Sequence, residues 1–316
     1  LAGGHVLRGT LVAVAAPLAV VVLHSLAALL PLGASMRAGR ILGRAFHHLF
    51  RWRSSVLREN SRSVCMGAAD SLAALAYEHL GQALLLSLQP PWRTATLRRA
   101  LRTEPTFVDF MQDVSAGGVI VSSGHFGVWE LLPRLLAPDL PVQALRHARL
   151  VYRPLHNAFL DWWLRTWRRQ TTCMCLVAAD ASLQTLRVAL ELGGIVGLLC
   201  DQRPSRPPWI EANFLGRQTL FSHGIAALHT STGCPVWFAT IKLQRTQDAA
   251  EGFVLHLHLS RLVPRKVASS AQSSRAGPES HALVQAYADV LNSEIKETPY
   301  QYFWWHKRWR ADADRC

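Results

Sequence analysis

The segment Gly117 to Glu130, GGVIVSSGHFGVWE, places an acid–base pair directly after an apolar run. His125 and Glu130 stand five positions apart in an H-x4-E arrangement. A histidine beyond the carboxyl end of a strand in an α/β sheet is well placed to remove a proton near neutral pH. If the chain bends at Gly124 and Gly127, the Glu130 carboxylate can hydrogen-bond the imidazole, fix its tautomer and stabilise the imidazolium. The segment therefore predicts a histidine general base supported by a glutamate.

The H-x4-E spacing is weakly specific on its own, because a histidine in a turn more often has a structural role. Other polar groups stand beside expected strand ends and helix starts: Arg153 and Asn157, and then Asp201, Gln202 and Arg203. Active-site groups of α/β sheets gather at the carboxyl edge, so we expect these side chains near His125. Near the end of the chain, PYQYFWWHKRWR (Pro299 to Arg310) combines six aromatic and four basic residues.

Short apolar runs alternate with helical stretches through most of the chain. The expected strands are Gly118 to Val121, Pro141 to Leu145, Cys173 to Val177, Ile195 to Cys200, Pro235 to Ile241 and Phe253 to Leu259. The expected helices are Leu72 to Leu84, Trp129 to Leu136, Pro154 to Arg169, Ser182 to Leu192, Ser222 to Thr230 and His281 to Lys296. This alternation predicts an α/β fold with a mixed, largely parallel sheet flanked by helices. The Leu/His alternation in the last strand predicts an antiparallel edge.

The amino-acid composition excludes some classes of protein and favours others. Of 316 residues, 50% are apolar and only 17% are charged, which excludes a mainly disordered chain. The net charge is +13, and just four of the 34 basic residues are lysines. An excess of guanidinium favours phosphate or carboxylate partners. Six cysteines without a C-x-x-C spacing give no reason to expect a disulfide scaffold or a zinc site.

The first 36 residues are expected to form a membrane anchor. No charged side chain occurs from Gly9 to Met36, and Leu11 to Leu32 is nearly continuous in apolar residues, about the length that crosses a bilayer. A cleaved signal peptide and a buried helical hairpin are the alternatives.

Residues 37–62 carry seven arginines against one acid, Glu59. Several of them recur at helical spacing opposite Leu42, Phe46, Leu49 and Phe50. This pattern predicts an amphipathic helix on an anionic lipid surface. The alternative is a surface helix packed on its own domain. Residues 63–316 would then form the α/β domain.

The blocks GHFGxWE, VYRPxxN, DQ, NFLGRQTLFSHGIAAL and PYQYFWWHKRWR, in this order, resemble the bacterial lipid A biosynthesis (lauroyl/myristoyl) acyltransferase family. That family is a branch of the H-x4-D/E glycerolipid acyltransferases. The resemblance covers about residues 105 to 310. Val128 and Tyr300 depart from the pattern, at positions where the family usually carries Asn and Glu, and this bears on the choice of acceptor.

The resemblance implies an enzyme that needs no cofactor. It would transfer an acyl chain from acyl carrier protein or coenzyme A to a hydroxyl of a lipid A precursor or related glycolipid. His125 would be the base and Glu130 its support, with Gly127 or Arg153 stabilising the oxyanion. Arg153 could instead grip a phosphate, and Asn157, Asp201, Gln202 and Arg203 would shape the substrate site. The implied location is the bacterial inner membrane, with the catalytic domain facing the cytoplasm.

Other classes of function remain open at this point. A relative could act on a different lipid or on a secondary metabolite, or bind without catalysis. A hydrolase could use Cys175, Cys200, Ser122 or Ser123 as its nucleophile, although no G-x-S-x-G elbow is present. A further alternative is a basic protein that binds membranes and has no catalytic activity. The aromatic and basic end of the chain also suits single-stranded nucleic acid, but the long uncharged run favours membrane phosphates. We expect direct acyl transfer, without an acyl-enzyme, and no nucleic-acid partner.

Overall fold

The computed structural model describes residues 17–62, 64, 69–266 and 277–309. The helices are α1 (17–29), α2 (Leu32–Phe50), α3 (Ser54–Ser61), α4 (Ala69–Ser87), α5 (Thr94–Arg99), α6 (Thr106–Ala116), α7 (Leu132–Leu136), α8 (Val142–Arg146), α9 (Ala158–Thr172), α10 (Leu183–Glu191), α11 (Gly224–Thr232) and α12 (Pro278–Glu297). The strands are β1 (Leu101–Thr103), β2 (Val119–Ser123), β3 (Arg149–Tyr152), β4 (Cys175–Ala178), β5 (Ile195–Leu199), β6 (Trp209–Phe214), β7 (Arg217–Ser222), β8 (Val236–Arg245) and β9 (Phe253–Val263).

Seven strands form one sheet in the order β1-β9-β8-β2-β5-β3-β4. Neighbouring strands are parallel except β8 and β9, which are antiparallel. Helices α10, α11 and α12 pack on one face of the sheet, and α5 to α8 pack on the other. The structure confirms the predicted α/β fold with a mixed, largely parallel sheet flanked by helices.

Strand β2 lies inside the sheet between β5 and β8, and all of its side chains are buried. Ile120 belongs to the core beneath α11 and α12, whereas Val119 and Val121 belong to the core beneath α6 and α7. A strand covered on both faces is apolar on both, which explains its unbroken apolar run. Because β2 ends at Ser123, His125 emerges at the carboxyl edge of the sheet.

One predicted strand is wrong. Residues 141–145 were expected to be extended, but Val142–Arg146 is the short helix α8, and the strand follows it at Arg149–Tyr152. A short apolar run does not distinguish a strand from a buried helical turn, and here tertiary packing selects the helix.

The predicted edge position of the last strand is also wrong. β9 is antiparallel to β8, as expected, but β1 covers its other side, with Leu101 opposite Leu255. The sequence reading also missed the β6–β7 hairpin, whose two-residue loop consists of Leu215 and Gly216. Both loop residues have positive φ, 52° and 78°, as the tight turns of two-residue hairpins require.

The predicted N-terminal anchor is not confirmed. Residues 1–16, which include the first part of the apolar run, lie outside the described residues. Within the described part of the chain, no helix combines the length and apolar character needed to cross a membrane. The described part of α1 lies against α9, where the His24 ring contacts the Trp163 and Trp167 rings at centroid distances of 5.3 and 4.4 Å.

Residues 37–62, which were predicted to form one basic helix, belong to two helices. α2 ends at Phe50 and α3 begins at Ser54, with Arg51 and Arg53 in the left-handed region between them. One face of α2, at Leu32, Ser35, Met36, Gly39 and Gly43, is buried. α2 therefore packs on its own domain along that face, whereas Leu49 and Phe50 at the end of the helix are exposed.

Candidate active site

His125 lies two residues beyond the end of β2, where its backbone is fixed by the C-terminal segment. The Phe303 amide donates to the His125 carbonyl oxygen at 2.9 Å, and Phe126 forms a bridge with Tyr302. The imidazole contacts the Trp129 ring edge-on at a centroid distance of 5.5 Å. The position of the ring therefore depends on the turn after β2 and on the segment near the end of the chain.

Asp201 is the carboxylate that contacts His125. Its Oδ1 atom lies 2.7 Å from His125 Nδ1, and only 2% of its side chain is exposed. β2 and β5 are parallel neighbours with Ser123 opposite Leu199, so the residues that follow the two strands meet. With Nδ1 held by Asp201, Nε2 is the ring nitrogen that can accept a proton, and it also lies within reach of the Gln202 amide.

His125 and Asp201 each stabilise the charged form of the other. Burial and the charge of Arg168 lower the pKa of His125. The charge and hydrogen bond of Asp201, together with the charge of Glu130, outweigh them, so the pKa of His125 is raised above its ordinary value. Burial alone would raise the pKa of Asp201, but His125 and Arg308 hold that pKa below its usual range. Asp201 is therefore ionised at neutral pH and can stabilise an imidazolium.

Glu130 does not contact His125 as predicted. Its carboxylate accepts two hydrogen bonds from Arg168 on α9, from Nη2 at 2.6 Å and from Nε at 3.1 Å. Glu130 follows His125 on a 3-10 turn, Trp129–Leu131, that leads its side chain toward α9 instead of back to the imidazole. The expected His–Glu contact is thus replaced by two pairs, His125–Asp201 and Glu130–Arg168.

The backbone amide of Gly127 is unavailable to an oxyanion, contrary to expectation. It donates to the Gln301 carbonyl oxygen at 3.0 Å, and the Val128 amide donates to the Ile241 carbonyl oxygen at 2.9 Å. Gly127 has φ +62°, and a Cβ atom there would lie 2.0 Å from the Ile241 carbonyl oxygen. Gly127 therefore allows a tight approach of the turn to β8, and its amide is bonded within the protein.

The remaining predicted residues lie at the same edge with different environments. The amide nitrogen of Gln202 is 3.3 Å from His125 Nε2. Arg203 follows it and is half-buried. Asn157 caps α9, its side chain accepting from the Leu160 amide at 3.0 Å, and Arg153 is exposed. The structure brings Asp201 and Gln202 to His125, whereas Asn157 acts as a helix cap.

A cavity of about 100 Å³ is lined in part by the Glu130–Arg168 pair and by Trp129, whose ring contacts His125. Ser123, Trp129, Glu130 and Arg168 form its polar part. The rest is apolar and lies between the sheet and helix α7, lined by Val121, Leu132, Leu136, Leu150, Met174 and Ile195 among others. A single water needs roughly 10–15 Å³ of such space, so the cavity has room for a ligand larger than one water.

The cysteines differ in environment. Cys200 is buried, and burial together with the neighbouring Asp201 charge raises the pKa of its thiol well above the usual range. Cys173 and Cys175 are exposed, at the end of α9 and the start of the edge strand β4. Cys200 is therefore poorly suited to act as a nucleophile.

Sequence reasoning missed the role of Arg168. It lies on the predicted helix 154–169, where several arginines occur and nothing in their spacing distinguishes this one. Its contact with Glu130 joins residues 38 positions apart and depends on how α9 packs.

Comparison with known proteins gives one family. The model of the family described as bacterial lipid A biosynthesis acyltransferase matches residues 10–311. No curated protein matches the chain.

Proposed function

The chain belongs to the bacterial lipid A biosynthesis acyltransferase family, and we propose that it moves a fatty acyl chain from an acyl thioester to a hydroxyl of a lipid A precursor with His125 as general base. The enzyme is an acyltransferase that acts in lipid A biosynthesis. The observation that carries the proposed mechanism is the His125–Asp201 contact, next to Trp129, which lines an apolar cavity together with the Glu130–Arg168 pair.

In this mechanism His125 Nε2 removes the proton from the acceptor hydroxyl. The resulting oxygen nucleophile attacks the thioester carbonyl carbon and forms a tetrahedral oxyanion. When the C–S bond breaks, the ester remains on the acceptor and the thiolate takes the proton from His125. Asp201 holds Nδ1 of the ring throughout and stabilises the transient imidazolium.

Arg168 is the proposed donor to the oxyanion. Its contact with Glu130 uses Nε and Nη2, which leaves the N–H groups of Nη1 for another acceptor. Its charge also acts on His125, so the guanidinium is near the reacting centre. Glu130 would then serve the reaction by orienting Arg168, because a guanidinium held by two hydrogen bonds costs little reorganisation as charge develops.

The apolar cavity is the proposed site of the acyl chain. Its polar part contains Arg168 and Glu130 and adjoins Trp129, whose ring touches His125. A chain extended between the sheet and α7 would place its carbonyl at this polar end. We propose that direct transfer follows, without a covalent acyl-enzyme, since burial suppresses the thiolate of Cys200.

The positions of arginine side chains support the remaining proposed partners, which are the donor carrier, the phosphate groups of the acceptor and the membrane. Arg153 and Arg203 stand at the carboxyl edge of the sheet, where they would contact phosphate groups of the acceptor or of the donor carrier. The donor is acyl carrier protein or coenzyme A. Both occur in the cytoplasm, so the catalytic domain would face the cytoplasm from the inner membrane, with α2 against its anionic surface.

Replacement of Asp201 by Asn tests the proposed base. The amide is neutral and can donate to Nδ1, which favours the wrong tautomer, so we expect acyl transfer to fall by roughly two to four orders of magnitude. Asp180→Asn is the matched control, because Asp180 is exposed beyond the neighbouring edge strand β4. The assay measures transfer of labelled lauroyl from acyl carrier protein or coenzyme A to a lipid A precursor, with product identified by mass spectrometry.

His125→Ala should lose at least as much activity as Asp201→Asn. A folded Asp201→Asn protein with the activity of the Asp180→Asn control would rule out the proposed pair. Activity with only one of the two donors identifies the carrier.

A further inference from the structure

Helix α12 presents two side chains to the segment that leads to His125. Tyr287 and Leu291 are four residues apart and therefore lie on the same face of the helix. The Tyr287 hydroxyl donates to the Ser123 carbonyl oxygen at 2.8 Å. A Cβ atom on Gly124 would lie 3.1 and 3.2 Å from the two methyl groups of Leu291. α12 therefore packs against both residues that directly precede His125.

The Ser123 carbonyl oxygen is also the last link between the ends of β2 and β5. The Cys200 amide donates to it at 2.9 Å, and Asp201 is the next residue. One oxygen thus accepts from two elements, the end of β5 and α12. His125 lies two residues after Ser123, so the two chains that carry the His125–Asp201 pair are joined at this oxygen immediately before the pair.

The helix that carries Tyr287 is anchored on both sides of it. The Gln285 side chain accepts from the Asn213 amide on β6 at 2.9 Å and donates to the Asn213 carbonyl oxygen at 3.1 Å. Two turns further along α12, the Glu294 carboxylate contacts His258 on β9 at 2.8 Å. Tyr287 itself is 0% exposed. Its hydroxyl is therefore held in place by contacts that do not involve the active site.

We infer that Tyr287 is a positioning residue for the reaction: its hydroxyl holds the Ser123 carbonyl, and through it the His125–Asp201 contact, in the geometry that proton transfer needs. The inference rests on the proposed role of His125 as the base.

The physical reason is that catalysis depends steeply on distance. The His125–Asp201 contact is 2.7 Å long, and a displacement of about 1 Å in a reacting group can cost roughly 100-fold in rate. Without the tyrosine hydroxyl, the Cys200 amide alone would hold the Ser123 carbonyl, which leaves the peptide group freer to rotate. A buried tyrosine hydroxyl usually finds a partner, so the test must separate positioning from stability.

Tyr287→Phe removes the hydroxyl and keeps the ring. Tyr77→Phe is the matched control, because Tyr77 is also 0% exposed and its hydroxyl also donates to a backbone carbonyl, that of Trp52. Each variant loses one buried hydrogen bond, so their melting temperatures should fall by similar amounts. Replacement of Tyr287 by para-aminophenylalanine keeps a neutral donor at the same place. All variants are made in the full-length protein.

We expect Tyr287→Phe to lower kcat for acyl transfer by roughly 10- to 100-fold, with KM unchanged for donor and acceptor. Tyr77→Phe and the para-aminophenylalanine protein should keep the wild-type kcat. A loss of stability alone would affect the two phenylalanine variants equally and would not divide kcat from KM in this way.

Nuclear magnetic resonance of isotope-labelled histidine reports the same geometry without acyl transfer. The Nδ1 proton of His125, hydrogen-bonded to the Asp201 carboxylate, should resonate far downfield of other ring N–H protons. Its signal is assigned by its loss in His125→Gln. We expect this signal to move upfield or disappear in Tyr287→Phe and to stay in place in Tyr77→Phe and in the para-aminophenylalanine protein.

A Tyr287→Phe protein with wild-type kcat would overturn the inference. A lowered kcat with an unmoved His125 signal would also overturn it, as would equal losses of kcat in Tyr77→Phe. If Tyr287→Phe does not fold, the para-aminophenylalanine protein decides, because a lowered kcat at the wild-type melting temperature contradicts a role of the donor.

The proposed function and this inference fail separately. An inactive Asp201→Asn protein combined with an unmoved His125 signal in Tyr287→Phe would reject this inference and leave the proposed function standing. A fully active His125→Ala protein would reject the proposed base whatever the Tyr287 variants show.

Discussion

At the scale of residues, His125 is supported by a partner distant in sequence. Glu130, five positions away, pairs with Arg168, while Asp201 reaches His125 from a neighbouring strand. The two carboxylates thus have separate contacts, Asp201 with the histidine and Glu130 with a cation. In the proposed mechanism this division lets the H-x4-E spacing serve the reaction without a direct contact between its two ends.

A double-mutant cycle tests whether Glu130 acts through Arg168. Each of Glu130→Gln and Arg168→Met should lower kcat by roughly 100-fold or more, the usual cost of losing an oxyanion donor. The double variant should lose little more than either single variant, because the two residues act as a unit. Rates of acyl transfer and thermal melts are measured for all three.

The surface pair Arg187–Glu191, with an N–O distance of 2.7 Å, provides the control for that cycle. Both residues lie on α10, and replacing them should leave kcat unchanged. Fully additive losses for Glu130→Gln and Arg168→Met would indicate that the two side chains act independently.

At the scale of elements, α2 and α4 approach each other through glycines. A Cβ atom on Gly81 would lie 2.1 Å from the Gly39 carbonyl oxygen, and one on Gly43 would lie 2.0 Å from the Tyr77 carbonyl oxygen. These contacts set the distance between α2 and the domain. α4 also carries His79, which hydrogen-bonds the Gly127 carbonyl oxygen at 3.1 Å, so this packing extends to the turn after His125.

Gly81→Ala should destabilise the protein although alanine is the better helix former. Helix propensity would contribute about 1 kcal/mol in its favour, but the overlap is with a backbone carbonyl and forces the helices apart. Overpacking typically costs about 1–3 kcal/mol and can exceed it at a backbone contact. We expect the melting temperature in a calorimetric scan to fall by several degrees.

Gly224→Ala is the matched control for the helix effect. Gly224 begins α11, and an added Cβ would meet only the Ser222 side chain, at 3.4 Å. This variant should melt at or slightly above the wild-type temperature. A stabilised Gly81→Ala protein would show that α2 and α4 are not in close backbone contact.

At the scale of the whole molecule, one side carries a basic helix with exposed apolar residues. Leu49 is 75% and Phe50 68% exposed at the end of α2, beside Arg51. Apolar side chains flanked by arginines suit insertion into the headgroup region of an anionic membrane. The inner face of the same helix is fixed to α4, so the helix would approach the lipid together with the domain.

Replacing Leu49 and Phe50 by Glu should weaken binding of the full chain to vesicles of phosphatidylethanolamine and phosphatidylglycerol. The change removes apolar area and adds repulsion from the lipid, so we expect at least a tenfold lower bound fraction in sedimentation, with residual binding sensitive to salt. Val188→Glu with Leu192→Glu is the control, since these residues at α10 are 41% and 48% exposed and the charge change is equal. Equal binding by the two variants would exclude α2 as the lipid-facing element.

The sequence by itself determined the local features of this protein. The alternation of apolar runs and helices predicted the α/β class, and the break after Val121 placed His125 at the carboxyl edge of the sheet. Five ordered blocks predicted the acyltransferase family, which the family match confirms. These features depend on periodicity, turn residues and motif order, which can be read from the sequence directly.

Only the tertiary structure decided which groups meet. The partner of His125 is 76 positions away, because β2 and β5 are neighbours in the sheet, and the partner of Glu130 is fixed by the packing of α9. The same reason explains why the residues 141–145 became a helix, why β9 is not an edge strand and why the Gly127 amide is occupied by Gln301. Contacts between residues distant in the chain depend on strand order and on the packing of neighbouring elements, and neither is encoded in any local pattern.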